Sequence, residues 1–435
     1  MALETKASAT WGESAWTGSE ELARRYRAVR QFTMRLCEPL EVEDYVAQSM
    51  TDASPTKWHI AHTTWFFETF VLRRFDDSYR EFHPEYNYLF NSYYNVVGER
   101  VARPIRGLMT RPPVNDIVRY RTHVDEAVES LLARATGPEY DRVRCLVEIG
   151  LQHEQQHQEL LLTDIKHLFS LNTLLPAYQV APGDPPDAGP GPMQQVPIEA
   201  GVYRVGHEGD DFAWDNESPR HRVFLEGVEI ADRLVTNREY LRFIDDGGYR
   251  RPELWLDEGW SKAQASGWTA PLYWHRDGDE QQVFTLQGLR TLELDEPVSH
   301  VSFYEAHAFA WWSGKRLPTE DEWETAVGTR PIEGNLAERG RFHPAVAPDE
   351  PAGSLRQAFG DVWEWTCSAY RPYPGYRAAS GAMGEYNGKF MCNQFVLRGG
   401  SCCTPQSHLR STYRNFFHAA ARWQFTGIRL TTDVG

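Results

Sequence analysis

Residues 142–169 read R-V-R-C-L-V-E-I-G-L-Q-H-E-Q-Q-H-Q-E-L-L-L-T-D-I-K-H-L-F. Leu146, Gly150, His153, His157 and Leu160 fall on one stripe at helical spacing. The segment is therefore predicted to form a long helix whose two histidines take positions that would otherwise pack a core. Upstream, Leu22, Tyr26, Val29 and Leu36 recur at the same spacing after Ser19, read as an N-cap, and Ile117, Val124, Val128 and Leu131 do so after Pro112 and Pro113. A further helix surrounds Trp58 to Phe70. Four helices joined by irregular segments predict a helical bundle over residues 18–175.

Residues 181–192, A-P-G-D-P-P-D-A-G-P-G-P, hold five Pro and three Gly and can continue neither a helix nor a sheet. A linker is expected over 176–196 and a second domain over 197–435. There the pattern changes to short segments, Gly turns and many Trp, as in Gly201-Val202-Tyr203-Arg204-Val205-Gly206 and Arg222-Val223-Phe224-Leu225. This predicts an irregular α+β domain. Thr319 with Glu322 three residues on is a capping box before Trp323 and Ala326. No internal repeat is visible.

At 435 residues the chain exceeds one ordinary domain. Its 45 Lys and Arg against 61 Asp and Glu give a net charge of -16, which argues against nucleic acid or an anionic membrane as the main partner and for small-molecule ligands. The 15 Trp, 20 Tyr and 21 Phe supply ample apolar surface, yet no run approaches the roughly 20 apolar residues that span a bilayer. The first residues lack a basic stretch followed by an apolar one, so a cytoplasmic protein is expected. Six scattered Cys without a C-x-x-C pair fit neither a disulfide framework nor a thiolate zinc site, and are read as reduced.

His153 and His157, four residues apart on a helix, can reach one cation. His62, in Trp58-His59-Ile60-Ala61-His62, shares a face with Trp58, Trp65 and Phe66, so three imidazoles can converge between facing helices. A single buried His is more often a hydrogen-bonded core residue, and His59, His123 and His167 are read that way. His153-Glu154-Gln155-Gln156-His157 is also the H-E-x-x-H zinc-hydrolase signature with Glu154 as general base. Such enzymes take a third ligand downstream, where His167 lacks the H-x-x-G-x-x-H spacing, although the helical wheel does not decide between Glu154 and Gln156. Three imidazoles without a carboxylate resemble the open facial sites of non-haem Fe(II) oxygenases, a substrate thiolate supplying the missing charge. A ferrous enzyme acting on a thiol and a zinc hydrolase both remain open at this level.

The histidine segments together resemble the DinB-like helical domain. Gly314-Lys315-Arg316-Leu317-Pro318-Thr319-Glu320, Gly360-Asp361-Val362-Trp363-Glu364-Trp365-Thr366, Arg398-Gly399-Gly400-Ser401 and Thr426-Gly427-Ile428-Arg429-Leu430 resemble the formylglycine-generating-enzyme and sulfatase-modifying-factor fold, a variant of the C-type lectin fold. The fusion, a DinB-like four-helix bundle followed by a C-type-lectin-like α+β domain, is similar to the ergothioneine-biosynthesis sulfoxide synthases. The resemblance covers nearly the whole chain from about residue 20.

It implies an O2-dependent Fe(II) enzyme joining a cysteine sulfur to C2 of the imidazole of N-α-trimethylhistidine (hercynine) to give a sulfoxide. His62, His153 and His157 match the ligand positions; Gln156 and Asn415 would line the hercynine pocket, with Phe416, Phe417 and Trp423 as aromatic walls for the quaternary ammonium. Formylglycine generation would need a cysteine pair where Thr404 and Leu409 stand. Relatives that use γ-glutamylcysteine continue after the shared Arg-Asn with Trp-Asp and a further Arg; here Phe416-Phe417-His418-Ala419-Ala420-Ala421-Arg422 lacks the acid, and the Arg position reads Ala. Free L-cysteine is the expected donor, its carboxylate clamped by Arg103 and Arg106. Tyr93 and Tyr94 are the expected proton donors, with Tyr370, Tyr373 and Tyr376 as reserves. A thiol dioxygenase is the nearest enzymatic rival.

Overall fold

The computed structural model describes residues 18–180, 189–278, 280–351, 353–378 and 382–434. The reading of residues 1–17, and of 181–188 in the linker, lies outside the described residues. The chain forms two compact units. One comprises Met1–Asn172 with two later segments, Gly209–Phe212 and Ala378–Tyr386; the other comprises Thr173–Glu208, Ala213–Arg377 and Asn387–Gly435.

The first unit is helical: α1 (Ser19–Cys37), α2 (Thr56–Phe67), α3 (Arg73–Phe75), α4 (Tyr86–Phe90), α5 (Val114–Arg134) and α6 (Gly137–Ser170). Ser19 is the first helical residue rather than the cap; Gly18 takes the N-cap position with no side-chain hydrogen bond. Every residue of α2 is buried, as befits a helix surrounded on all sides, and it packs against α5 and α6 while α1 packs on α6. Gly150 permits the close approach of α6 to α2, since a Cβ there would lie 2.5 Å from the Phe67 ring and 3.1 Å from that of Phe66. Between α2 and α3 a π turn, Glu68–Leu72, turns the Glu68 carboxylate inward to accept from the hydroxyls of Tyr79 and Tyr120, each at 2.6 Å.

The second unit is α+β. Its larger sheet runs in the order β10 (Asn415–His418), β9 (Gln394–Arg398), β8 (Trp363–Ala369), β11 (Thr426–Gly427), with β11 parallel to β8 and the other pairs antiparallel. A second sheet joins β1 (Gln195–Ile198), β4 (Val228–Ala231) and β12 (Thr431–Asp433), while β2 (Gly201–Val205) with β3 (His221–Leu225) and β5 (Trp274–Asp277), β6 (Glu280–Thr285), β7 (Gly288–Thr291) form two smaller ones. The helices are α7 (Asn237–Asp245), α8 (Asp257–Ser266), α9 (Phe303–Trp312) and α10 (Glu320–Val327). Thr319 caps α10 in the expected box with Glu322. β1 begins inside the span read as linker, and Tyr178 there is buried, its N–H donating to the Leu286 carbonyl at 2.8 Å.

Buried arginines give the motif residues a physical role. Arg429 of T-G-I-R-L bonds Glu364 of W-E-W at 2.7 Å, Trp323 donates to the same carboxylate at 2.8 Å, and Arg398 of R-G-G-S bonds Glu324 at 2.5 Å. Each guanidinium has its carboxylate, as burial of charge requires. Among the described residues, no helix is long and apolar enough to cross a membrane.

Candidate metal centre

His62 on α2 and His153 and His157 on α6 each offer a ring nitrogen within 4.8 Å of the others. Their ring centroids form a near-equilateral triangle, 4.9 Å from His62 to each partner and 4.7 Å between His153 and His157. All three are buried, and burial depresses their basicity: His153 falls to about 3, and His62 and His157 fall well below the ordinary value. Neutral imidazoles with free lone pairs are what a metal requires.

The proton placement is legible in the hydrogen bonds. His62 Nδ1–H donates to the carbonyl of Phe90 at the end of α4, 2.6 Å away, and Nε2 has no protein partner. Trp58 and Trp65 stack on either side of that ring, with centroids 4.5 and 5.5 Å away. His157 uses Nδ1 toward His59 Nδ1, 2.8 Å away, so Nε2 is the atom it can offer. Among the described residues, neither nitrogen of His153 has a hydrogen-bond partner. Unpartnered buried imidazole nitrogens converging on one point fit a cation held by three histidines. His59, read as a structural residue, thus touches the centre directly, and its Nε2 lies 3.1 Å from Asp164.

Glu154 points elsewhere. Its oxygens accept from Arg30 at 2.8 Å, Thr33 at 2.6 Å and Arg121 at 2.5 Å. Burial alone would raise its pKa, but Arg121 and Arg30 hold it near 2. Both oxygens are committed to this buried network, which removes the general base that the H-E-x-x-H hydrolase reading needs.

The two arginines of the expected clamp separate. Arg103 is exposed and donates to the Asp52 carbonyl. Arg106 is buried, its guanidinium 3.4 Å from the Trp58 ring centre, donating to the hydroxyls of Ser54 at 3.0 Å and Ser92 at 3.3 Å. Among the described residues no carboxylate bonds it and Nε has no partner, and burial lowers it to about 9. A guanidinium so placed has the charge and a spare donor with which an anion could pair.

Tyr94 is buried with its hydroxyl unpartnered, and its ring packs on Trp65 and Phe70. Tyr93 is half-buried beside it, with ring centres 6.4 Å apart. One residue escaped the sequence reading. Tyr386, in the late segment that joins this unit, donates to Gln156 Oε1, and its ring lies 5.8 Å from His153. Glu385 beside it accepts from the backbone of Asn95 and Val96 at 3.2 and 3.0 Å, anchoring the segment to the stretch after Tyr94. No local pattern marks this residue, because a loop distant in sequence delivers it.

The reserve tyrosines have other partners in the second unit. Tyr370 accepts from Asn216 at 2.9 Å, Tyr373 lies beside the Arg414 guanidinium, and Tyr376 donates to Asp215 at 2.8 Å. Asn415 and Phe416 lie on β10, Phe416 stacked on Tyr370 at 4.1 Å; Phe417 and Trp423 pack edge to face at 5.9 Å. Arg422 bonds Glu305 at 2.8 Å and stacks on Trp268. Thr404 and Leu409 are both buried where the resemblance would put the cysteines of a formylglycine-generating site, and Cys402 and Cys403 beside them are buried thiols.

Family profiles match both units: the DinB superfamily over residues 25–161 and the sulfatase-modifying factor enzyme 1-like domain over residues 184–434. Hercynine oxygenase of Mycolicibacterium smegmatis is 32% identical over 95% of this chain and 99% of its own length, and that of Mycobacterium tuberculosis 32% over 96% and 100%. The ergothioneine biosynthesis protein 1 of Schizosaccharomyces pombe is 28% identical over 52% of this chain. With both halves matched in order and hercynine oxygenases similar over their whole length, the chain belongs to the ergothioneine-biosynthesis sulfoxide synthase family.

Proposed function

We propose that the chain is an O2-dependent sulfoxide synthase that joins the sulfur of L-cysteine to C2 of the imidazole of hercynine, with Fe(II) held by His62, His153 and His157. The observation that carries the reading is the pairing of two features in one unit: three converging neutral imidazoles and, on the far side of the Trp58 ring that stacks on His62, a buried arginine without a counter-anion. Ferrous iron bound there supplies O2 activation and a cationic centre for a thiolate.

The protein's own groups do the rest. Arg106 takes the amino-acid carboxylate, exchanging two neutral hydroxyl partners for a charge-assisted one. Gln156, oriented by the Tyr386 hydroxyl, is the expected contact for hercynine. Tyr94 keeps its proton because burial raises its pKa, so it can donate at Oη, with half-buried Tyr93 beside it as the exchange route to solvent. Asn415 and Phe416 are expected hercynine contacts on the strength of the resemblance. Arg422, already paired with Glu305, is not free to hold a glutamyl group, which favours free cysteine over γ-glutamylcysteine.

The test exposes anaerobic Fe(II)-loaded protein to O2 with cysteine, with and without hercynine, and identifies products by mass. Hercynylcysteine sulfoxide should form when both substrates are present. Cysteine sulfinic acid at the same rate with or without hercynine would instead make the chain a thiol dioxygenase, and a higher kcat/KM for γ-glutamylcysteine would replace the donor.

A further inference from the structure

The three imidazoles are not held alike. His62 leans on a neutral backbone carbonyl, His153 on no hydrogen-bonding group among the described residues, and His157 on His59, which in turn meets Asp164. A carboxylate accepts and never donates, so His59 Nε2 carries the proton in the 3.1 Å contact with Asp164 Oδ2. With that proton on Nε2, the lone pair of the His59 ring lies at Nδ1, where it can accept the Nδ1–H of His157 across the 2.8 Å contact. The lone pair of His157 is thereby confined to Nε2.

Asp164 is itself fixed. Its Oδ2 also accepts the Ser54 N–H at 2.8 Å, its Oδ1 has no protein partner, and the Ser54 hydroxyl accepts from Arg106 at 3.0 Å. His59 and Asp164 are both buried, so water does not compete for these bonds.

We propose that His59 and Asp164 are positioning residues forming a relay, carboxylate to imidazole to imidazole, that fixes the tautomer of His157 and strengthens it as a metal donor. The role rests on the reading of His157 as a metal ligand. The relay makes His157 the most electron-rich of the three ligands, and Ser54 links the same carboxylate to the anion receptor at Arg106.

The test uses full-length protein with Co(II) alone, titrated by its visible absorption, in the parent, His59→Phe, Asp164→Asn and the double variant. His59→Phe keeps a ring in place and breaks the relay; Asp164→Asn keeps an acceptor and removes the charge. Each single variant should weaken Co(II) binding, His59→Phe by about 10- to 100-fold. In the double variant the losses should not add, because one break already interrupts the relay. In the metal-free parent, ring nitrogen NMR should show His157 protonated at Nδ1, a readout independent of turnover. Unchanged affinity in either folded single variant, fully additive losses, or a His157 protonated at Nε2 would each overturn the relay. A parent that binds no Co(II) would remove the metal centre itself.

Discussion

Replacing Arg106 by Met separates stability from binding in an unusual direction. The guanidinium lies beneath the surface with no carboxylate bonded to it, and its fall to about 9 corresponds to a burial burden of order 5 kcal/mol at 1.36 kcal/mol per pKa unit. Stacking on Trp58 and hydrogen bonds to Ser54 and Ser92 offset part of this, and Met would forfeit them. Replacing even a buried ion pair by apolar side chains of similar volume is often neutral or stabilising by about 1–4 kcal/mol, and a buried guanidinium without a carboxylate has less Coulombic attraction to lose. Arg106→Met should therefore raise the unfolding free energy of the substrate-free protein within that range. The same change removes a charge-assisted bond to the substrate carboxylate, whose loss at roughly 1.5–3 kcal/mol raises KM for cysteine about 10- to 150-fold. Denaturant unfolding measures the first effect and steady-state kinetics the second, with cysteamine, which lacks the carboxylate, as control: its KM should hardly change. A variant destabilised by more than about 1 kcal/mol, or one in which cysteine and cysteamine respond alike, would refute the assignment of Arg106 as an anion receptor.

Three other changes test the remaining assignments. Glu154→Gln removes the charge from a buried network of two arginines and should lower unfolding stability by about 3–5 kcal/mol while turnover per folded, iron-loaded molecule stays within a few-fold; a selective collapse of kcat would restore Glu154 as a catalytic base. Burial raises the Asp361 carboxyl to about 6, against hydrogen bonds from Asn335 and Ala345, so the folded chain keeps a proton that the unfolded chain releases near 3.8. Its contribution is full below 3.8 and is lost as pH rises through about 6, so Asp361→Asn should exceed the parent in stability by of order 3 kcal/mol at pH 8, with the gap closing at pH 4 in denaturant titrations. Tyr94→Phe removes an unpartnered buried hydroxyl and should leave the protein at least as stable while shifting product from sulfoxide toward cysteine sulfinic acid; an unchanged product ratio in the Tyr93→Phe, Tyr94→Phe double variant would place the proton donor elsewhere.

Helical periodicity made the bundle legible, because Ile117, Val124, Val128 and Leu131 all face its core, and the His153–His157 stripe carried the centre with it. Periodicity describes one helix at a time, however, and this is where it ran out. It could not tell which way Glu154 leans, since that depends on Arg30 and Arg121 arriving from α1 and α5, nor that Arg30 would occupy a core position between Tyr26 and Thr33. It set His59 aside as an ordinary structural histidine, whereas every face of α2 is buried and the face bearing His59 meets His157. The Arg103 and Arg106 pair looked equivalent on spacing; a short 3-10 turn, Arg103–Leu108, sends one to solvent and the other beneath Trp58.

The late segment ending at Tyr386 also bears on how the protein is made. All three imidazoles belong to the chain before Asn172, so a nascent helical unit clear of the ribosome already presents its full ligand set. Tyr386 and Glu385 follow about 210 residues later, roughly 10–40 s at ordinary elongation rates. During that interval the His153 ring lacks its tyrosine neighbour, and the proposed ligands would be open to whatever divalent ion the surroundings supply, with zinc and copper favoured over iron by intrinsic affinity. Under the proposed function, metallation of this chain is thus in part a matter of timing, because the three histidines are complete before the residues that surround His153 are made.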